Sequence, residues 1–130
     1  MSIATIVSHN FNGFHIGEEN KDVSLGVPLE LLNGNHYKNL FNNDRLLYSF
    51  LLFKKATDIE ENFYENDLLY RQHERKELAT FLGVDEKRIT ESFTRLEEVG
   101  LVKIVRQGRG MPNKIFLGQI SFGKEAEGAN

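Results

Sequence analysis

The chain reads as an α+β fold, a winged helix-turn-helix with a small antiparallel sheet and a basic wing hairpin. Three observations within residues 74–117 lead there. Two short amphipathic helical patterns are separated by a glycine turn. Two β-prone runs around a Gly/Pro/Asn loop follow at once. That hairpin carries Lys103, Arg106, Arg109 and Lys114 and no acid.

Taken in order, residues 1–22 set Phe11, Phe14 and Ile16 among His, Asn and Gly and are expected to form a loosely docked arm. The arm has no Arg or Lys before Lys21, so packing on a partner subunit suits it better than entry into a minor groove. The domain proper is expected over residues 23–122. Val23, Leu25 and Val27 alternate with polar or small residues, Pro28 opens a short helical turn through Leu32, and Asn33-Gly34-Asn35 is a loop. Tyr37 and Leu40 dock the segment that leads into the first long helix.

Asn42, Asn43 and Asp44 form a helix start signal. Leu46, Leu47, Tyr48, Phe50, Leu51, Leu52 and Phe53 then wrap nearly every side, which requires burial on more than one side, within the core or at a dimer interface. Lys54 and Lys55 suit the negative end of the helix dipole. Residues 57–67 are acidic and expected to form a loop around Phe63 and Tyr64. Residues 68–71 form a candidate strand able to pair with the hairpin.

In the first helix of the pair, Leu78, Phe81 and Leu82 fall at i, i+3 and i+4, with Ala79 beside them. Gly83 ends it, because glycine accepts the left-handed conformation, and Val84 can fold back over the last turn. Asp85 caps the second helix. That helix buries Ile89, Phe93, Leu96 and Val99 and stops at Gly100, with Leu101 placed to cover Leu96.

At about 100° per residue, the opposite face of the second helix carries Lys87, Glu91 and Thr94, with Arg88, Thr90 and Arg95 beside them. These side chains suit phosphates and base edges, so all six are candidate DNA base contacts. Glu97 and Glu98 come only in the last turn, the end a recognition helix keeps away from DNA. In the hairpin, Lys103, Arg106, Gln107, Arg109, Asn113 and Lys114 are candidates for the DNA backbone or minor groove. A helical hairpin alone would give the same apolar spacing, and Glu91 with Arg88 and Arg95 could be solvated ion pairs at i±3 and i±4. The acid-free wing is what weighs toward DNA, since a hairpin without a partner rarely needs four cations and no anion.

Tyr37-Lys38-Asn39-Leu40, the helix around Leu46-Leu47-Tyr48-Ser49-Phe50-Leu51-Leu52, Leu96-Glu97-Glu98-Val99-Gly100-Leu101-Val102, and Arg106-Gln107-Gly108-Arg109-Gly110-Met111-Pro112-Asn113-Lys114-Ile115-Phe116 together resemble the N-terminal domain of RepA-type plasmid replication initiators, the RepA_N family. The resemblance covers residues 27–117. Its narrowest part is the wing, an Arg-Gln-Gly, a second glycine and Pro-Asn before an apolar strand. Phe41-Asn42-Asn43 stands where the family has a Leu-Ser pair, and Phe53-Lys54 where it has Asp-Arg. The resemblance implies a winged-helix homodimer that binds repeated double-stranded DNA sites in a plasmid origin. It also implies a separate C-terminal domain for recruiting host replication proteins, with residues 123–130 as a tail or the start of a linker.

At 130 residues the chain holds one core. It lacks cysteine, a signal-peptide pattern and any apolar run of the eighteen or so residues that span a bilayer, which suits the cytoplasm. The net charge of -3 and pI near 5.8 argue against a nonspecific nucleic-acid coat. The charge is divided, however: Asp58, Glu60, Glu61, Glu65 and Asp67 form an acid-only block, while residues 99–124 carry only basic charges.

No cofactor, metal or catalytic role is expected. Gly108-Arg109-Gly110 lacks the Gly-Lys-Ser/Thr ending of a phosphate-cradling loop. His9, His15, His36 and His73 have no helical i, i+4 pairing and no cysteine help, and no His-x-His pair accompanies Tyr48, Tyr64 or Tyr70 as a DNA-cutting tyrosine would need. Two alternatives stay open: a transcriptional or copy-number regulator on the same fold, and a winged helix used only for protein docking.

Overall fold

Five consecutive residues of one helix, Leu47, Tyr48, Ser49, Phe50 and Leu51, are buried, and everything else is laid around them. The computed structural model describes residues 24–120; the expected arm at 1–22 and tail at 123–130 lie outside the described residues. In chain order it contains α1 (Leu29–Asn33), α2 (Asn42–Thr57), β1 (Phe63–Glu65), β2 (Leu68–Arg71), α3 (Arg75–Leu82), α4 (Glu86–Glu98), β3 (Val102–Val105) and β4 (Lys114–Leu117). Short 3₁₀ turns lie at Asn35–Tyr37 and Ile59–Glu61.

A succession of buried residues means that α2 is covered around its circumference, as its all-round apolar sequence requires. Helices α3 and α4 pack against it, and Leu31, Tyr37 and Leu40 close the core from the N-terminal side. Arg45, on the first turn of α2, ties that entry segment down by donating to the carbonyls of Leu31 (2.6 Å) and Tyr37 (3.2 Å).

Both glycine stops form as the sequence implies. Gly83 has φ +68°, with Val84 N–H donating to Ala79 O at 3.0 Å; Gly100 has φ +79°, with Leu101 N–H donating to Leu96 O at 2.9 Å and the Leu101 side chain buried. The stripe on α3 is narrower than expected. Leu78 and Ala79 are buried, but Phe81 is 46% exposed, its ring stacked on Phe50 at 3.9 Å between centroids, so it closes the edge of the core.

The sheet is antiparallel throughout, in the spatial order β1-β2-β4-β3. Strand β2 pairs with the wing strand β4 through Tyr70↔Phe116 and Arg71↔Ile115. The segment read as an acidic loop is instead a turn followed by a strand, and β1 and β2 form a second hairpin. Its two-residue loop, Asn66 and Asp67, has φ of 51° and 66°, the left-handed pair that matches the twist of flanking strands. Asn and Asp tolerate that conformation better than other side chains with a Cβ, and Phe63 gains a stacked contact with Tyr70.

Arg71 is buried at the end of β2 and satisfied by polar partners. It donates to Asp58 O at 3.1 Å, Asp58 Oδ2 at 2.9 Å, Asn62 Oδ1 and His73 Nε2 at 3.0 Å. Because His73 Nε2 accepts, its Nδ1–H is left to donate to Glu77 at 3.0 Å. One guanidinium thus joins the sheet to the end of α2 and, through His73, to α3.

Tyr48 donates its hydroxyl to Gly118 O at 2.6 Å, linking α2 to the end of β4. Burial, and next the neighbouring Tyr37, push its pKa up from 10.0 to about 12. A folded-state pKa above the unfolded one gives stability that is complete below pH 10 and lost as pH rises toward 12. Denaturant unfolding at pH 8 and pH 11 should show the wild type losing about 1 kcal/mol more than Tyr48→Phe over that interval. At pH 8 the variant should be the less stable of the two, having lost the bond to Gly118.

Candidate nucleic-acid interface

Helix α4 starts where Asp85 Oδ1 accepts the Arg88 N–H at 2.9 Å. Ile89, Ser92, Phe93 and Leu96 point into the core, which leaves Lys87, Arg88, Thr90, Glu91 and Thr94 exposed on the other side. The side chains of Lys87, Arg88 and Glu91 make no hydrogen bond or salt bridge to the described residues. Glu91 thus forms no direct salt bridge with Arg88 or Arg95, although, after the Asp44 hydrogen bond, its charge is among those that raise the Arg95 pKa. Thr90 and Thr94 donate their hydroxyls to the carbonyls four residues back, at 3.2 and 3.1 Å, so their oxygens face outward as acceptors.

Arg95 departs from the expected role. Its Nε and Nη2 donate to the two oxygens of the fully buried Asp44 at 2.7 and 3.0 Å, and its guanidinium lies 4.0 Å from the centroid of the Phe41 ring. The Asp44 hydrogen bond, against a smaller effect of burial, raises the Arg95 pKa. Asp44 Oδ2 also accepts the Phe41 N–H at 2.8 Å. The fork that a base reader would need is thus committed inside the fold, a pairing across 51 residues that the helical spacing of α4 could not disclose.

The wing loop is braced by its own residues. Gln107 Nε2 donates to Pro112 O at 2.8 Å, and Gly108 and Gly110 take φ of +104° and +78°. Arg106 and Arg109 are exposed. Arg106 lines a cleft of about 160 Å³ together with Thr90 and Thr94 of α4, Ile104 of β3, and Arg75, Phe93 and Glu97. The polar side of α4 and the root of the wing therefore open into the same space. Asn113, with Met111 and Pro112, borders an adjoining cavity of about 280 Å³ whose other walls include His73, Glu74 and Arg75.

Lys103 and Lys114 are not gathered there. Lys103 lies opposite Phe116 and Lys114 opposite Val105 in the register, on the sheet face away from Ile104, because side chains alternate along a strand. Lys114 is also no free cation: its Nζ meets Glu65 of β1 at 2.6 Å, which raises its pKa, and lies 5.1 Å from the Tyr70 ring centroid. The hairpin is acid-free in sequence, but the fold brings an acid to it.

Arg75 was not among the expected contacts. Placed in the first turn of α3, it opposes the helix dipole, and that mismatch is the signal that could have marked it. Its guanidinium carbon sits 5.1 Å from the Phe93 ring centroid, and Nη1 is buried without a hydrogen-bond partner. Burial, then the charge of Arg106, lowers its pKa, while Glu86 and Glu97 oppose the shift. Among the described residues no cluster of His, Cys, Asp and Glu could hold a metal ion, and no helix is long and apolar enough to cross a membrane.

Two α-helices joined by a glycine turn, a hairpin wing and a supporting third strand define a winged-helix domain in which α4 and the wing root border one cleft. The chain belongs to the family described as replication initiator protein A (RepA) N-terminus, whose model matches residues 25–128. Similar solved structures include one titled "Structure of Rep-DNA complex" (TM-score 0.69, 22% identity, covering 91% of this chain and 92% of that one). Another is titled "Structure of MDR initiator" (TM-score 0.68, 23% identity, covering 91% and 98%). A third is titled "N-Terminal domain of DNA binding protein" (TM-score 0.68, 22% identity, covering 91% and 92%). At these identities the likeness is one of fold. No curated protein matches the chain.

Because Asp44 is fully buried and accepts from both Phe41 and Arg95, removing either partner of the ion pair should be costly. Asp44→Ala and Arg95→Met should each lower unfolding free energy by about 2–4 kcal/mol. Their effects should be non-additive by at least about 1 kcal/mol in a double-mutant cycle followed by denaturant unfolding. Lys87→Ala and Arg88→Ala should stay within about 0.5 kcal/mol of wild type.

Proposed function

We propose that this chain is the DNA-binding domain of a plasmid replication initiator, recognising double-stranded DNA at repeated sites in the origin. One observation carries this reading: Arg106 of the wing root and Thr90 and Thr94 of α4 border a single cleft, so one duplex can meet both. Family membership and the Rep-DNA title of a similar structure support it.

In this mechanism α4 lies in the major groove with its N-terminal half toward the bases. Lys87 or Arg88 donates to guanine O6 and N7, Glu91 accepts from the cytosine amino group, and the outward oxygens of Thr90 and Thr94 accept from base or water. Arg106 and Arg109 hold phosphates or enter the adjacent minor groove, with Asn113 available to the same backbone and Gln107, bonded to Pro112 O, bracing the loop that presents them. Arg95 acts indirectly by fixing α4 through Asp44. Binding as a homodimer would read paired half-sites, and a further C-terminal domain would recruit host replication proteins. The cytoplasm is the matching compartment. No bond is made or broken in this role; opening of the origin would follow from bending DNA and recruiting other proteins.

If about five phosphates are neutralised per protomer, log K should fall against log salt with a slope of roughly -4 to -5. On duplexes selected from a random-sequence pool, the Arg106→Ala/Arg109→Ala variant should weaken binding to all sequences alike and flatten that slope. Glu91→Ala should instead relax preference at one base pair, by about 1–3 kcal/mol of discrimination. A flat salt response, with the arginine variant binding as wild type does, would remove the DNA reading.

A further inference from the structure

Arg75 lines the cleft without a hydrogen bond or salt bridge of its own among the described residues. Arg75 is always charged and carries five donors on a rigid plane. Phe93 underlies that plane, and Nη1 is buried with no partner. Across the same cleft stands a second guanidinium, Arg106. Neither forms a salt bridge with a described acid. Glu97 lines the cleft too, but its Oε2 accepts the Ile104 N–H at 3.0 Å. Glu86 and Glu97 reach Arg75 only as charges that oppose the effect of burial and of Arg106.

Two cations that line a common space repel each other, and an anion that accepts from both would relieve that repulsion. The anion has to be compact and rich in acceptors, because donors converge on it from two directions. A phosphate meets both conditions, and planar guanidinium groups recognise it in bidentate fashion.

We propose that Arg75 and Arg106 together seat one backbone phosphate of the bound duplex. This assignment rests on the DNA-binding reading. The phosphate then bridges the helix-turn-helix, through α3, and the wing, through the end of β3. Seating it would set the angle between α4 and the wing.

The test replaces single phosphates, one position at a time, by neutral methylphosphonate in a duplex selected from a random-sequence pool. Affinity is measured for wild type, Arg75→Met, Arg75→Lys and Arg106→Met, with thermal unfolding of each variant as the check on folding. For wild type, one backbone position per protomer should cost about tenfold when neutralised, as the loss of a charge-assisted hydrogen bond does. In Arg75→Met and in Arg106→Met that position should become indifferent while other sensitive positions stay so; Arg75→Lys should keep part of the sensitivity. Arg75 variants that bind less well yet keep the full wild-type pattern would show a packing role only and overturn the assignment. An unchanged affinity would do so too, as would a pattern in which no backbone position depends on Arg75, the result expected of a seat for free phosphate. A wild type with no affinity for duplex at all would instead overturn the DNA reading, and this assignment with it.

Discussion

The fully buried carboxylate of Asp44 sits where two helices have to agree. It accepts the Phe41 N–H and so completes the start of α2, and it takes both arms of the Arg95 fork and so fixes α4 against that start. A buried charge is tolerated only when its lone pairs are satisfied, and here satisfaction requires that α4 be in one position. Phe41, itself largely exposed, places its ring 4.0 Å from that guanidinium. Lys87, Arg88 and Glu91 stand on the free part of the same helix, so the orientation of the exposed face depends on a contact made at its buried end.

Basic side chains in this fold divide into those that hold it together and those left over. Arg45, Arg71, Arg95 and Lys114 each have carbonyl or carboxylate partners within the domain. Lys87, Arg88, Arg106 and Arg109, on α4 and the wing, have none among the described residues, and neither do Lys38, Lys54, Lys55, Arg75 and Lys76 elsewhere on the domain. The overall charge of -3 hides this division. Acidic residues are drawn into structural roles as well: Asp58 meets Arg71, Glu65 meets Lys114, and Glu97 accepts the Ile104 amide.

What could be read from the sequence was local. Gly83, Asp85 and Gly100 act within a turn of their own positions, so the two helices, their stops and the cap were all visible before any tertiary contact was known. The wing was visible for the same reason, its glycines and proline marking the loop between β-prone runs. The β1 strand was hidden because acids outnumber apolar residues around it, and its turn is Asn-Asp rather than Asn-Gly. The partners of Arg95, Lys114 and Arg71 lie 51, 49 and 9 to 13 residues away, and charge alone does not announce which carboxylate folding will deliver. Arg75 could be noticed only as a cation at the wrong end of a helix. Its neighbours Phe93 and Arg106 come from two other elements.

Helix α4 and the wing root border one cleft, and the proposed DNA-binding role has a duplex touch both at once. Amide chemical shifts, followed while duplex from a random-sequence selection is added to isotope-labelled protein, would test this most directly. The largest changes should fall on residues 86–95 and 106–113 and around Arg75, with the outer sheet face at Phe63, Tyr70 and Phe116 nearly silent. Changes concentrated on that outer face, with α4 unmoved, would contradict a shared helix-and-wing surface.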